Sequence, residues 1–392
     1  MKTAKWRWVA CAAATLMIGF AAGCADFWQA PSSSSTTGSS TSSSGVFYVL
    51  NQATKQIVGY SMATGTLTAV SSSPYTLSSA PYSIAIAPGG GFLYVGTASG
   101  IFLYTIGSSG ALTLANSGNV ISQDIATTMQ VDTTGHWLVE AGPNSAELLA
   151  IEINTTTGVP ISGSEQSTAL PASTVNQLTI SPDNAHVFVA LGSSGTEDVT
   201  FAAGNSDPFG TTANIPVINS AGSALSVAVD PENRLLYIGE VAALSGSTNT
   251  GGLRVINYNT LVEVSGSPFA TGGLAPSFIL PLVYGTYKYE YVYVANRTVS
   301  GTTTGSIAGY SVTTSGTTYS LTALSSSATA GITPVAMAQD STGNYLLVVN
   351  SGGSPDLAAY TFDATTGGKL DSDLTTNTGT DPVEASAVAA VP

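Results

Sequence analysis

The chain has 392 residues, enough for two domains or one large all-β domain, and only 8% of them are charged. Six basic and 23 acidic residues lie after Gly23, which gives this part of the chain a formal charge of −17. Binding to a nucleic-acid backbone needs clustered lysine and arginine, and the sequence has no such cluster, so we expect no nucleic-acid partner.

Residues 1–23 are predicted to be a signal peptide. The first basic residues are Lys2, Lys5 and Arg7. The apolar core that follows, 9–20, is too short for a comfortable membrane span. The segment ends in Ala21-Ala22-Gly23-Cys24, which resembles the lipobox of bacterial lipoproteins. This resemblance implies that Cys24 is the lipidated first residue of the mature chain. The alternative is ordinary cleavage, which would leave Cys24 as a free thiol.

Residues 24–45 are predicted to be a flexible tether. The stretch 31–45 reads PSSSSTTGSSTSSSG and contains no apolar residue to bury. Cys11 leaves with the signal peptide, so one cysteine remains and no intramolecular disulfide can form. The folded domain is predicted to span 46–392.

A short apolar run recurs seven times in this domain. The last residues of successive copies are 46, 44, 50, 49, 56 and 54 residues apart, and a period near 50 is typical of a propeller or another repeat array. The copies are Phe47-Tyr48-Val49, Leu93-Tyr94-Val95, Trp137-Leu138-Val139, Phe188-Val189, Leu236-Tyr237-Ile238, Val292-Tyr293-Val294 and Leu346-Leu347-Val348.

Each copy has the same internal order of elements. A first apolar strand such as Ile84-Ala85-Ile86 leads through a tight turn into the recurring run, which is the second strand. A third strand with a large apolar anchor and, in most copies, a weaker fourth strand follow. Four short strands per repeat predict an all-β fold, a seven-bladed β-propeller with four-stranded blades. A parallel β-helix would need a shorter period, and tandem sandwiches would need longer units.

The two ends of the domain are predicted to share one blade. The chain enters the domain on a second strand, and 381–392, DPVEASAVAAVP, read as a first strand without a second. The C-terminal strand is therefore expected to complete the N-terminal blade, which removes an open sheet edge.

The sequence resembles the YVTN-repeat propellers of the lactonase-like seven-bladed superfamily over nearly all of 46–392. The resemblance is carried by P-x-x-I-A-I-A-P-G-G-G-F-L-Y-V at 81–95 and by Y-V-Y-V-A-N at 291–296, with support from V-E-V-S-G-S-P-F-A-T-G at 262–272. It implies the propeller fold and, more weakly, an activity, because one fold hosts many functions.

The resemblance also implies where a ligand would bind. In such propellers the loop after each second strand and the start of each first strand surround the mouth of the central channel. The candidates there are Asn51, Tyr82, Glu240, Asn296, Arg297, Asn350 and Glu384. Glu240 and Arg297 stand at the bases of the two longest loops, so together they would orient a polar ligand. The alternative is that both are solvated rim ions, or that Arg297 only fixes its own loop.

The sequence lacks the residues that are typical of several kinds of catalytic or metal site. His136 and His186 fall at one repeat position after the first turn, which predicts a place on the face opposite the channel mouth. Lactonase families often carry histidine after the proline that begins a first strand, and here that position holds Tyr82, Ser277, Val335 or Val383. The sequence contains no G-x-S-x-G, no H-E-x-x-H and no Cys/His cluster. We expect no metal and no cofactor.

These observations favour an exported, lipid-anchored propeller, periplasmic or on the cell surface, that acts as a non-catalytic binding or interaction scaffold. Its partner would be a small polar ligand or an envelope protein, it would touch the membrane only through the anchor, and a monomer is expected. One alternative is a lactonase-type hydrolase, 6-phosphogluconolactonase-like, acting on a sugar-derived lactone at the channel mouth. Another is a structural envelope protein without a small ligand.

Overall fold

Short runs of β-branched and aromatic residues, separated by turns rich in glycine, proline and asparagine, form the strands of this protein. The computed structural model describes residues 45–392 except 64, 144–145, 245–249, 286–288, 300–301, 325–327, 353–355, 364–366 and 376–383. The predicted signal peptide, Cys24 and all but the last residue of the predicted tether lie outside the described residues. In the described part, a three-residue 3-10 turn at Asn116–Gly118 is the one helical element. None of the described residues forms a helix with the length and apolarity needed to cross a membrane.

The strands form seven antiparallel sheets, numbered here as blades 1 to 7 in chain order. The strands of each blade follow, from the innermost to the outermost. Blade 1 contains Ala385–Ala390, Gly45–Asn51, Gln56–Ala63 and Thr66–Ala69, with the short Tyr75–Thr76 beside the third. Blade 2 contains Pro81–Ile86, Phe92–Thr97, Gly100–Ile106 and Leu112–Leu114. Blade 3 contains Thr128–Val131, Trp137–Ala141, Glu147–Glu152 and Gln166–Ala169. Blade 4 contains Gln177–Ile180, His186–Ala190, Thr196–Phe201 and Phe209–Ile215.

The remaining three blades repeat the same order. Blade 5 contains Ser223–Val229, Leu235–Val241, Gly252–Asn257 and Phe269–Ala270. Blade 6 contains Pro276–Tyr284, Tyr289–Asn296, Ser306–Ser315 and Thr318–Ala323, with Ala328–Thr329 beside the third. Blade 7 contains Ile332–Gln339, Tyr345–Gly352, Leu357–Phe362 and Leu370–Thr375. The prediction of seven four-stranded blades is confirmed.

The C-terminal strand completes blade 1, as predicted. Ala385–Ala390 runs antiparallel to Gly45–Asn51, with Ala390 opposite Phe47 and Val388 opposite Val49. The backbone N–H of Val391 adds a hydrogen bond to the carbonyl of Val46 at 2.8 Å. The first three residues of the predicted closing segment, 381–383, lie outside the described residues.

Seven clusters of buried apolar side chains hold the ring together, one between each pair of neighbouring blades. Successive side chains of a strand point to opposite faces, so each second strand contributes to two clusters. In blade 1, Phe47 and Val49 pack against blade 7, whereas Tyr48 and Leu50 pack against blade 2. All four are fully buried. The ring is therefore closed by apolar packing as well as by the shared blade.

Side chains of the innermost strands also tie neighbouring blades together. The Ser83 hydroxyl donates to the carbonyl of Ala126 at 2.7 Å, and the Ser226 hydroxyl donates to that of Pro276 at 2.8 Å. The Gln177 side-chain oxygen accepts the backbone N–H of Val227 at 3.1 Å. Such bonds between a side chain and a neighbouring strand hold the innermost strands around the centre of the ring.

Candidate functional site

The innermost strands of all seven blades surround a central channel with a cavity of about 840 Å³. Each second strand is antiparallel to its innermost strand, so the end of the one and the start of the other lie on the same face. We name this the mouth face.

The structure brings three of the predicted residues to the channel, namely Tyr82, Arg297 and Glu384. The other four are at most 2% exposed and lie outside the channel lining: Asn51, Glu240, Asn296 and Asn350. All four end or nearly end a second strand. All four side chains are buried among the strands and turns of the blades and do not line the channel.

Glu240 does not lie with Arg297 at the channel mouth, where the two were predicted to orient a ligand together. Its carboxylate is fully buried and accepts a hydrogen bond from Arg254 Nη1 at 2.5 Å and another from the Ile218 backbone N–H at 3.1 Å. Arg254 also pairs with Glu263 at 2.6 Å. Although burial acts against the charged form, the two carboxylates raise the pKa of the Arg254 guanidinium. Glu240 therefore belongs to a buried ion-pair network of blade 5, and its bond to Ile218 reaches the segment that joins blade 4 to blade 5.

The side chains of two of the predicted asparagines form hydrogen bonds with backbone groups. The Asn51 side-chain oxygen accepts the backbone N–H of Thr54 at 3.0 Å, which closes the turn after the second strand of blade 1. The Asn296 side-chain nitrogen donates to the carbonyl of Thr271 at 3.1 Å, which links blade 6 to blade 5. Such positions favour polar residues because they satisfy the backbone at the blade ends.

The mouth of the channel carries two charged side chains among its described residues, Arg297 and Glu384. Both are exposed, and neither side chain makes a hydrogen bond or ion pair with the described part of the chain. The sequence also allowed Arg297 to fix only its own loop. Among the described residues, no side-chain contact of Arg297 supports this alternative. Arg297 comes from blade 6 and Glu384 from blade 1, so they flank blade 7.

Sequence reasoning missed two residues of this mouth, Gln52 and Ser351, which line the channel in blades 1 and 7. Each is the residue directly after a buried asparagine, Asn51 or Asn350, just as Arg297 directly follows Asn296. The signal that would have found them is this shared position, one residue beyond the buried one.

The histidines lie away from the mouth, in the turns that join innermost to second strands. His186 Nδ1 lies 2.6 Å from the carboxylate of Asp198, and its ring stacks on Phe188. His136 is exposed and contacts the Thr134 hydroxyl at 3.2 Å. The turns close at different residues, because Ser181 N–H donates to the His186 carbonyl whereas Asp132 N–H donates to that of Trp137. His136 therefore precedes the repeat position of His186 by one residue, which corrects the predicted alignment.

The described residues contain no group of three or more histidine, cysteine or acidic side chains arranged to hold a metal ion. Residues 284–384 match the family described as lactonase, 7-bladed beta-propeller, and this quarter of the chain includes both Arg297 and Glu384. Among solved structures, a Bacteroides fragilis protein provisionally assigned as a 6-phosphogluconolactonase aligns with a TM-score of 0.67 at 15% identity, covering 91% of this chain and all of that one. The chain shares the seven-bladed β-propeller fold of this protein.

Two further structures share this propeller fold. The periplasmic gluconolactonase PpgL of Pseudomonas aeruginosa aligns with a TM-score of 0.63 at 15% identity, covering 89% of this chain and 99% of that one. A protein from Lactobacillus plantarum aligns with a TM-score of 0.61 at 15% identity, covering 89% of this chain and all of that one. The comparison with curated proteins found no significant match.

Proposed function

We propose that the mouth of the central channel binds a small polar ligand of the sugar-acid type. The observation that carries this proposal is the pair Arg297 and Glu384, both without a partner among the described residues, in a cavity of about 840 Å³. Small-molecule sites are concave and of this size, and a few polar groups in them fix the orientation of the ligand. A guanidinium binds a carboxylate or a carbonyl oxygen through two N–H donors.

The groups around this pair suit a polyhydroxylated ligand. Ser351 lies in blade 7, between the blades of Arg297 and Glu384. Gln52 lies in blade 1 with Glu384, and Tyr82 lies in blade 2. Amide and hydroxyl side chains both donate and accept hydrogen bonds, which is what the hydroxyls of a sugar require.

Lactone hydrolysis at the same mouth is the second candidate. It is supported by the lactonase family match and by the fold shared with PpgL. In this reaction water adds to the lactone carbonyl, the ring C–O bond breaks, and an aldonic acid forms. Glu384 would accept the proton of the attacking water and pass it to the ring oxygen that leaves, and Arg297 would stabilise the negative charge on the carbonyl oxygen.

Calorimetric titration of the full-length chain with D-gluconate tests the binding proposal. We expect saturable binding that Arg297→Ala weakens at least about tenfold, since a charge-assisted pair is lost. Lys55→Ala is the matched control, because Lys55 is exposed in the turn that begins at Gln52 but does not line the channel. Equal losses in both variants, or no binding by the wild type, would contradict the proposal.

The hydrolytic candidate needs its own assay. D-glucono-1,5-lactone also opens spontaneously, so the rate with protein is compared with that of Glu384→Gln, which retains shape but cannot take a proton. A faster rate with the wild type alone supports hydrolysis. Equal rates, with D-gluconate binding intact, leave binding as the function.

We also propose that the protein is exported and lipid-anchored at Cys24, with 1–23 as signal peptide and 24–45 as tether. The lipobox-like Ala21-Ala22-Gly23-Cys24 and the serine-rich stretch support this. The likeness to a periplasmic protein agrees with export. Cell fractionation with a labelled fatty acid tests it. The wild type should be labelled and membrane-bound, and Cys24→Ser should be unlabelled; an unlabelled wild type contradicts the proposal.

A further inference from the structure

The positive charges of this protein are few, and their positions limit what the channel can bind. After Gly23 the sequence contains six basic residues: Lys55, Arg234, Arg254, Lys288, Arg297 and Lys369. Of the segments after Gly45 that lie outside the described residues, 286–288 contains one of them, Lys288, and the others contain no lysine or arginine.

Two of the six basic residues are occupied by carboxylates elsewhere in the ring. Arg234 pairs with Asp230 and with Glu290, each at 2.8 Å, in the turns opposite the mouth face. Arg254 is buried between Glu240 and Glu263.

The other described basic residues do not line the channel, with the exception of Arg297. Lys369 lies 3.7 Å from Asp371 at the outer edge of blade 7. Lys55 is on the mouth face but outside the channel lining. Lys288 lies outside the described residues. Arg297 is therefore the single cation among the described residues that line the channel, and Glu384 offsets its charge.

The part of the chain that the structure describes also has no other phosphate-binding element at the channel. A phosphate dianion is usually held by several arginine or lysine side chains or by the N-terminus of a helix. The described residues form no helix beyond the 3-10 turn Asn116–Gly118, and that turn lies outside the channel lining. The whole chain has a formal charge of −14, so its long-range field repels multivalent anions from the mouth.

We infer, on the basis of the proposed function, that the channel selects sugar acids or sugar lactones that carry at most one negative charge and rejects their phosphorylated forms. One guanidinium matches one carboxylate or one lactone carbonyl. The remaining polar side chains of the mouth, among them Gln52, Tyr82 and Ser351, are uncharged and suit free hydroxyl groups. The ligand class is thus that of an unphosphorylated aldonate or aldonolactone.

Titration of the full-length chain with D-gluconate and with 6-phospho-D-gluconate tests this inference, since the two differ by the phosphate alone. We expect the phosphorylated sugar to bind at least about tenfold more weakly at low salt, with a smaller difference at high salt. Equal or tighter binding of 6-phospho-D-gluconate overturns the inference and leaves the proposed function standing. Binding of neither sugar overturns both.

A gain-of-binding variant gives a second test. Ser351→Arg adds a cation to the channel beside Arg297, and should improve binding of 6-phospho-D-gluconate relative to D-gluconate by about tenfold. Ala98→Arg is the matched control, because Ala98 is exposed on the same face but outside the channel lining. An unchanged preference in Ser351→Arg, or the same shift in both variants, overturns the inference.

Discussion

Glu140 is the most unusual single residue of the ring. It is fully buried in the second strand of blade 3, and neither of its oxygens has a hydrogen-bond partner among the described residues. Its cross-strand neighbour Met129 packs in the apolar cluster between blades 2 and 3. Blade 2 offers no cation, because 56–123 contain no charged residue. Burial, and then the charges of Asp124 and Glu165, raise the pKa of Glu140 to about 8.

The other blades show what this position normally holds. The turn hydrogen bond of blade 3 ends at Trp137, three residues before Glu140, and the corresponding bonds in blades 2, 4, 5 and 7 end at Phe92, His186, Leu235 and Tyr345. Three residues beyond those stand Val95, Val189, Ile238 and Val348. The recurring apolar run of the sequence puts Val139 at this position instead, because a carboxylate at Glu140 interrupts the apolar pattern.

Glu140→Val should therefore stabilise the protein, most strongly at alkaline pH. Folded Glu140 keeps its proton up to about pH 8, whereas the unfolded chain releases it near pH 4.5. This contribution to stability is full below pH 4.5 and falls as pH rises to about 8, by a total of roughly 5 kcal/mol. Thermal melts from pH 4 to pH 9 should show a widening advantage of Glu140→Val over the wild type.

Glu140→Gln is the control for this experiment, because it removes the titration and keeps the shape. Its melting temperature should lose the pH-dependent fall between pH 5 and pH 8. A fall of the same size in the wild type and in both variants would show that another group is responsible.

Among the strands, the closing strand Ala385–Ala390 is the one that the sequence predicts most clearly. Each repeat has an innermost and a second strand. An innermost strand without a partner at the C-terminus therefore matches a second strand without a partner at the start. Its side chains Ala385 and Val388 are buried in the cluster between blades 7 and 1.

The side chains at the blade ends were harder to place from the sequence. Asn51, Glu240, Asn296 and Asn350 were assigned to the mouth because the loop after a second strand lies there. Side chains within a second strand alternate between the two neighbouring blade interfaces, and in blades 1 and 6 the channel is lined by the residue directly after the strand. The period of the repeat predicts where a second strand lies, but it does not predict at which residue the strand ends. Arg297 lies one residue further and reaches the channel.

Deleting 381–392 should destabilise the whole ring far more than the loss of a loose tail would. The deletion leaves the inner edge of Gly45–Asn51 unpaired and exposes apolar surface of blades 7 and 1. At ~25 cal/mol per Å², re-exposing a few hundred Å² costs several kcal/mol, comparable with the stability of a typical domain. We expect a large fall in melting temperature or aggregation, measured by a thermal melt.

A peptide covering 381–392, added in trans, is the matched rescue for this truncation. It should raise the melting temperature of the truncated protein in a concentration-dependent manner, because it restores the strand and its packing. A peptide of the same composition in scrambled order should not. An unchanged melting temperature of soluble truncated protein would contradict this account of closure.

At the scale of the molecule, the ring converts seven similar blades into one asymmetric site. The repeated side chains serve the blade interfaces, and the differences between blades collect at the mouth, where Arg297 and Glu384 stand on either side of blade 7. A net negative protein that exposes one guanidinium in its channel favours ligands that are neutral or singly charged.

A crystal structure of the chain soaked with D-gluconate would show directly where the sugar binds. We expect the sugar in the channel mouth, with its carboxylate on Arg297 and its hydroxyls on groups from blades 7, 1 and 2, and an empty mouth in Arg297→Ala crystals soaked in the same way. A sugar bound elsewhere, or bound in the mouth without contacting Arg297, would contradict the proposed binding site.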